Sequence, residues 1–263
     1  MPASFTHYLF GQQVAPQLPY QIHDIILSHK DLYDIGLFGP DIIFYYRPLI
    51  PHSVSRIGYQ MHKFPARYFF EQAQDIIRQT KDPALLSYTL GFICHFILDS
   101  NCHQYIYEKI KTSKVSHVEM ECELDRMLMI SQHLNPLRTN PIDPITVDMG
   151  ISEKISKIFL PLTPEQVYDS LQSMKFYHQL LISPSPSKRH LVRRFLSMTH
   201  TEGLLGGFIL KPLPNPDCEE SNQELMKRYY TSLKEAPSLL IEFYESLYHN
   251  DPLSVRFDRT FQG

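Results

Sequence analysis

Residues 82–110 constrain the fold more than any other stretch. Asp82 can cap a helix, and Pro83 suits its first position, where a missing N–H costs nothing. Apolar residues then recur through Leu85, Leu86, Leu90, Phe92, Ile93, Phe96 and Ile97. The pattern predicts one helix from Asp82 to about Ile110, about 40 Å long at 1.5 Å per residue. It is the most apolar helix in the chain, yet it carries His95 and Asp99 between Phe92, Phe96 and Leu98. An unpaired buried carboxylate is costly. Asp99 therefore needs a partner, either a hydrogen-bonded histidine or a cation.

The remaining pattern is also helical. Short helices are expected at 4–14 and 20–31, and another from about Pro65 to Thr80. Ser116-His117-Val118-Glu119 and Thr163-Pro164-Glu165-Gln166 fit capping boxes, which start helices ending before Asn135 and near Ile182. Helical patterns resume at 187–199 and 221–248. Residues 36–58 hold Gly36, Gly39, Pro40, Pro48, Pro51 and Gly58, and are expected to form a long ordered loop. Residues 135–162 contain four prolines and are expected to form a long connection. With 20 Pro, 10 Gly and hardly any two-residue alternation, a strand-rich fold is excluded. The expectation is an all-α, bundle-like single domain over 1–263, with long Pro-rich connections.

Histidine is the unusual count, at 13. His95, Asp99 and His103 are spaced four apart, so they fall at about 0°, 40° and 80° around their helix and share one stripe. His117 and Glu121 repeat the spacing on the next helix. Thirteen His and 28 carboxylates in 263 residues give about 1.4 such His-to-acid pairs by chance, against the two present. Spacing alone decides little; the apolar setting of His95 and Asp99 carries the weight. Two helices turning such pairs inward make a polynuclear metal centre, as in carboxylate-bridged bundles.

The set His7, the Gly-Pro-Asp segment ending at Asp41, His62, Gly91-Phe92-Ile93-Cys94-His95-Phe96-Ile97-Leu98-Asp99, His103 and His117-Val118-Glu119-Met120-Glu121 resembles the zinc-dependent phospholipase C family. The fungal single-strand nucleases belong to the same superfamily. The resemblance covers residues 1–125. It implies two or three Zn²⁺ ions: one on Asp41, His62, His95 and Asp99, a second on His103, His117 and Glu121, and a third on Asp99 and His7. In the family an N-terminal Trp completes the third site, and this chain contains no Trp. Either Pro2 takes that role after loss of Met1, or the site is incomplete or dinuclear. The family also places two more residues between the positions matching Asp99 and His103, which leaves Cys102 as a competing ligand.

Clustered ions serve phosphate esters by lowering the pKa of water and clamping attacking and leaving oxygens. Asp41 would act as ligand, as base toward the water, or as both. The expected substrate is a phosphate ester, phospholipid or nucleotide. Phe44, Tyr45 and Tyr46 are candidate rim residues or loop packing. A net charge of −3 gives no stable nucleic-acid partner. A non-catalytic helical module with structural metal is the alternative of another class. The first residues lack a signal-peptide pattern, and no apolar run approaches bilayer-spanning length, so a cytoplasmic protein with reduced cysteines is expected. Lys188, Arg189, His190, Arg193 and Arg194 form a basic patch, read as a solvated face or a phosphate dock.

Overall fold

The computed structural model describes residues 4–50, 52–198, 202, 206–249 and 251–263. The long apolar segment forms the central helix α6, Pro83–Lys109, with Asp82 Oδ1 accepting from Ala84 N at 2.9 Å. It is long and apolar enough to cross a bilayer, but 94% of its apolar window is buried inside the protein. It is the axis around which the other helices pack.

Against it lie α1 (Ser4–Val14), α2 (Tyr20–Ser28) and α3 (Lys30–Gly36). The expected 20–31 helix is in fact two, broken at His29, whose backbone leaves the helical region. Helix α3 approaches α6 closely because Gly36 and Gly91 face each other; a Cβ on Gly91 would overlap the Tyr33 carbonyl oxygen. Two glycines thus let two backbones touch where side chains normally hold them apart.

The expected long loop at 36–58 is mostly helical. A 3₁₀ segment spans Gly39–Tyr45 with Pro40 in its first turn, and α4 runs Ser53–Lys63. The side chain of His52 caps α4 by accepting from Ser55 N at 3.2 Å. Gly and Pro punctuate this stretch without unwinding it, since both tolerate a 3₁₀ start. Helix α5, Arg67–Thr80, follows, and α7, His117–Ser131, packs beside α6. Only half of the expected capping box at α7 forms: Ser116 Oγ accepts from Glu119 N, but the Glu119 carboxylate takes Lys211 Nζ and Asn215 Nδ2 instead.

The expected 135–162 connection contains a helix, α8, Met149–Ile158, capped by Asp148 accepting from Gly150 N and Ile151 N. Helix α9, Pro164–Leu181, shows both halves of the Thr163/Gln166 capping box. Helices α10, Pro186–Met198, and α11, Glu219–His249, complete the fold. The architecture is all-α, with no strand among the described residues.

One hydrophobic cluster runs from Phe5 in α1 to Phe261 near the C-terminus. The tail doubles back so that Phe261 packs edge-on against Phe92 and Phe96 of α6. A smaller cluster joins Leu181, Val192, Leu196 and Ile209. All four cysteines are free.

Gly91→Ala is expected to lower stability by about 2 kcal/mol, because the added methyl meets backbone that cannot rotate away. Chemical denaturation of the two chains, with unchanged slope and a lower midpoint, checks this.

Candidate metal centre

The eight candidate residues converge at α6. His95, Asp99 and His103 line one stripe of that helix. His7 comes from α1, Asp41 from the 3₁₀ segment, His62 from the end of α4, and His117 and Glu121 from the start of α7. Asp99 is the hub. Its oxygens lie 3.2 Å from His7 Nε2, 3.1 Å from His95 Nε2, 3.5 Å from His103 Nδ1 and 3.9 Å from His62 Nε2. Asp41 Oδ1 sits 3.3 Å from His62 Nε2. Glu121 Oε1 sits 3.2 Å from His103 Nε2 and 3.0 Å from His117 Nε2.

Three groups have donor atoms near enough to share an ion: His7–His95–Asp99, Asp41–His62–His95 and His103–His117–Glu121. Seven of the eight residues are buried, and His117, with a quarter of its side chain exposed, marks where the centre meets solvent. Cys102 is buried but joins none of these groups, and burial pushes its thiol above the ordinary range. Pro2 lies outside the described residues.

Backbone carbonyls decide which nitrogen of each ring is available. A carbonyl oxygen only accepts, so the ring nitrogen facing it carries the proton. His95 Nδ1 donates to Leu37 O at 3.2 Å, His62 Nδ1 to Gly58 O at 2.7 Å and His103 Nδ1 to Phe261 O at 2.9 Å. In the neutral rings each Nε2 is then a lone pair pointing at a carboxylate oxygen. Among the described residues, His95 Nε2, Asp99 Oδ2, His117 Nε2 and Glu121 Oε2 are buried without a hydrogen-bond partner. Acceptor facing acceptor in a dry interior requires positive charge between them, and divalent ions on imidazole and carboxylate supply it. The residues present fit such ions.

Without metal, protons must take that place. Burial alone would lower the His103 pKa, but Asp99 and Glu121 outweigh it and raise it to about 9. Burial would likewise raise Asp99 and Glu121; the facing imidazoles, His103 and His95 for Asp99 and His117 for Glu121, hold both below the usual carboxylate range. Burial and the stacked ring of His95, 4.2 Å away, lower His7.

Several supports escaped sequence reasoning. Gly39 takes φ of +49°, and a Cβ there would overlap the His95 ring, so a glycine is needed twice over. Asp125, one turn beyond Glu121, accepts from Phe5 N (3.1 Å), Thr6 N (2.8 Å) and Thr6 Oγ1 (2.6 Å). It ties the start of α1 to α7 and so sets the position of His7. Its four-residue spacing from Glu121 was the available signal. Glu123, by contrast, forms a buried pair with Arg126 at 3.0 Å. Tyr45 is buried, and its hydroxyl shares a hydrogen bond with His178 Nε2 of α9 at 2.9 Å; burial lowers that imidazole to about 4, so it is neutral. Phe44 lies against Tyr59 and His62.

Fold and site together define a class: an all-α protein with buried His/carboxylate groups able to hold several ions. Residues 6–160 match the family model described as zinc dependent phospholipase C. The chain belongs to that family. No curated protein and no solved structure matches it.

Asp99→Asn is expected to abolish stoichiometric metal, measured by elemental analysis of the purified chain. Metal competes with the His103 proton, so apparent affinity is expected to fall about tenfold per pH unit below pH 9. Competition with a chromophoric chelator between pH 9 and pH 7 reads this slope.

Proposed function

We propose that the chain is a metal-dependent phosphoric ester hydrolase of phospholipase C type, working as one domain over residues 1–263. The observation that carries the reading is the set of buried imidazole lone pairs turned onto carboxylate oxygens. Family membership supports the same reaction class. Asp41, His62, His95 and Asp99 would hold one ion, His103, His117 and Glu121 a second, and Asp99 with His7 a third. Bound divalent ions of this kind lower the pKa of water and neutralise charge developing on phosphate oxygens.

The chain's own groups do the rest. The carbonyls of Leu37, Gly58 and Phe261 keep three rings in the orientation that ligation needs. Most of the centre is buried and His117 is its most exposed residue, so an ester would approach from that side. Burial would raise Asp41, while the facing imidazoles of His62 and His95 favour its charged form, in which it is an acceptor. That suits it to ligating an ion and orienting the attacking water.

Hydrolysis of bis-p-nitrophenyl phosphate is expected, to be lost with a strong chelator and restored by Zn²⁺. Asp41→Asn is expected to lower kcat by about a hundredfold or more while the chain keeps its fold by circular dichroism. Stoichiometric metal without turnover on any phosphate ester would instead favour a structural role.

A further inference from the structure

Residues 42–70 hold Arg47, Arg56, Lys63 and Arg67 and no Asp or Glu. Helix α4 divides that stretch by face. Val54, Gly58 and His62 are buried on one side, and His62 reaches the metal centre. Arg56, Tyr59 and Lys63 are exposed on the other, within about 60° of arc at about 100° per residue. Arg56 and Lys63 form no ion pair among the described residues. Arg259, also exposed and unpaired among them, lies beside the turn from α4 into α5, where its carbonyl oxygen accepts from Ala66 N at 2.9 Å. Glu71 and Asp258, the acids next along the chain in α5 and the tail, both engage Arg67.

The same corner exposes aromatic rings: Tyr59 is 59% exposed, Phe64 56% and Tyr68 66%. Phe64 and Tyr68 line a groove of about 190 Å³ between α4 and α5, with Ile57, Met61, Phe69 and the buried Phe261. No charged side chain among the described residues lines it, and only Gln60 and Tyr68 offer hydrogen-bonding groups there. A single nucleic-acid strand is held by a cationic groove that tracks its backbone. Here the groove is uncharged and the cations stand outside it. That order suits the boundary of an anionic bilayer, where rings and groove take acyl carbon while cations and tyrosine hydroxyls stay at the headgroups. The floor of the groove is also a wall of the metal centre, since the Phe261 ring lies 5.5 Å from that of His62 and 6.0 Å from that of His95.

We infer that the outer face of α4 and the start of α5 dock the protein on anionic phospholipid surfaces. Phe64, Tyr68 and Tyr59 enter the acyl boundary, and Arg56, Lys63 and Arg259 remain at the headgroups. The inference goes beyond the esterase reading and does not need it, because the docking residues are exposed side chains distinct from the eight candidate ligands.

Co-sedimentation of the full chain with vesicles of phosphatidylcholine plus phosphatidylserine, beside phosphatidylcholine alone, tests it. Binding is expected to the mixed vesicles and to weaken with salt. Arg56→Gln with Lys63→Gln is expected to weaken it about twentyfold, from about fivefold per cation. Phe64→Ser with Tyr68→Ser is expected to weaken it about tenfold or more. Both double variants should keep the helical circular dichroism of the parent, since all four side chains are exposed. No binding by the parent, or variants that bind as it does, would overturn docking. So would tighter binding to a single-stranded oligonucleotide than to the vesicles, or a stable dimer in solution that the Phe64/Tyr68 pair breaks, which would assign the face to a second copy. None of these readouts depends on turnover, so a parent that binds mixed vesicles as described but cleaves no phosphate ester would sink the esterase reading and leave docking standing.

Discussion

Three buried carboxylates facing five imidazoles are the constraint on which the rest of the molecule depends. Asp41, Asp99 and Glu121 are all under a tenth exposed. An isolated carboxylate in such surroundings would protonate or unfold its host. Here each has histidine nitrogens within about 3.3 Å, and the Nδ1 protons of three of those rings are committed to backbone carbonyls. The arrangement is stable only with positive charge inside it, either as protons or as metal. Folding and ion binding are therefore linked, and the fold is organised to hold that charge.

The helices serve this arrangement in different ways. Helix α6 supplies three of the eight residues because a four-residue spacing drifts only about 40° per step. Helix α3 and the 3₁₀ segment come close enough to add Asp41 and the Leu37 carbonyl because Gly36, Gly39 and Gly91 remove the Cβ atoms in the way. Asp125 pins α1, and with it His7, to α7. The C-terminal tail closes the centre from behind, with the Phe261 carbonyl on His103 and its ring against His95. Family resemblance reaches residue 160, but the centre is completed by residues beyond that point.

Part of the site was legible in residue type and spacing, whereas His7, Asp41 and His62 were reached only through the family resemblance. His-x-x-x-Asp and His-x-x-x-Glu fix one helical face without any knowledge of the fold, and the apolar run around His95 implies burial. The loops were legible less well. Pro and Gly at 36–58 and 135–162 read as breakers, yet a 3₁₀ turn and two helices form there, since local propensity yields to packing. Carbonyl partners such as Leu37 and Gly58 left no trace in sequence, because every residue has a carbonyl.

By itself the sequence determined that the chain is helical, that α6 is its most apolar element, and that His95 with Asp99 and His117 with Glu121 each share a helical face; the wider set of candidate ligands came from the family resemblance. Periodicity and residue type are local properties, and both survive being read along a line. Only the tertiary structure decided which lone pairs face which oxygens, that His117 is the most exposed of the eight residues, and that Tyr45 reaches across to His178. These follow from where helices far apart in sequence cross, and no local pattern encodes a crossing.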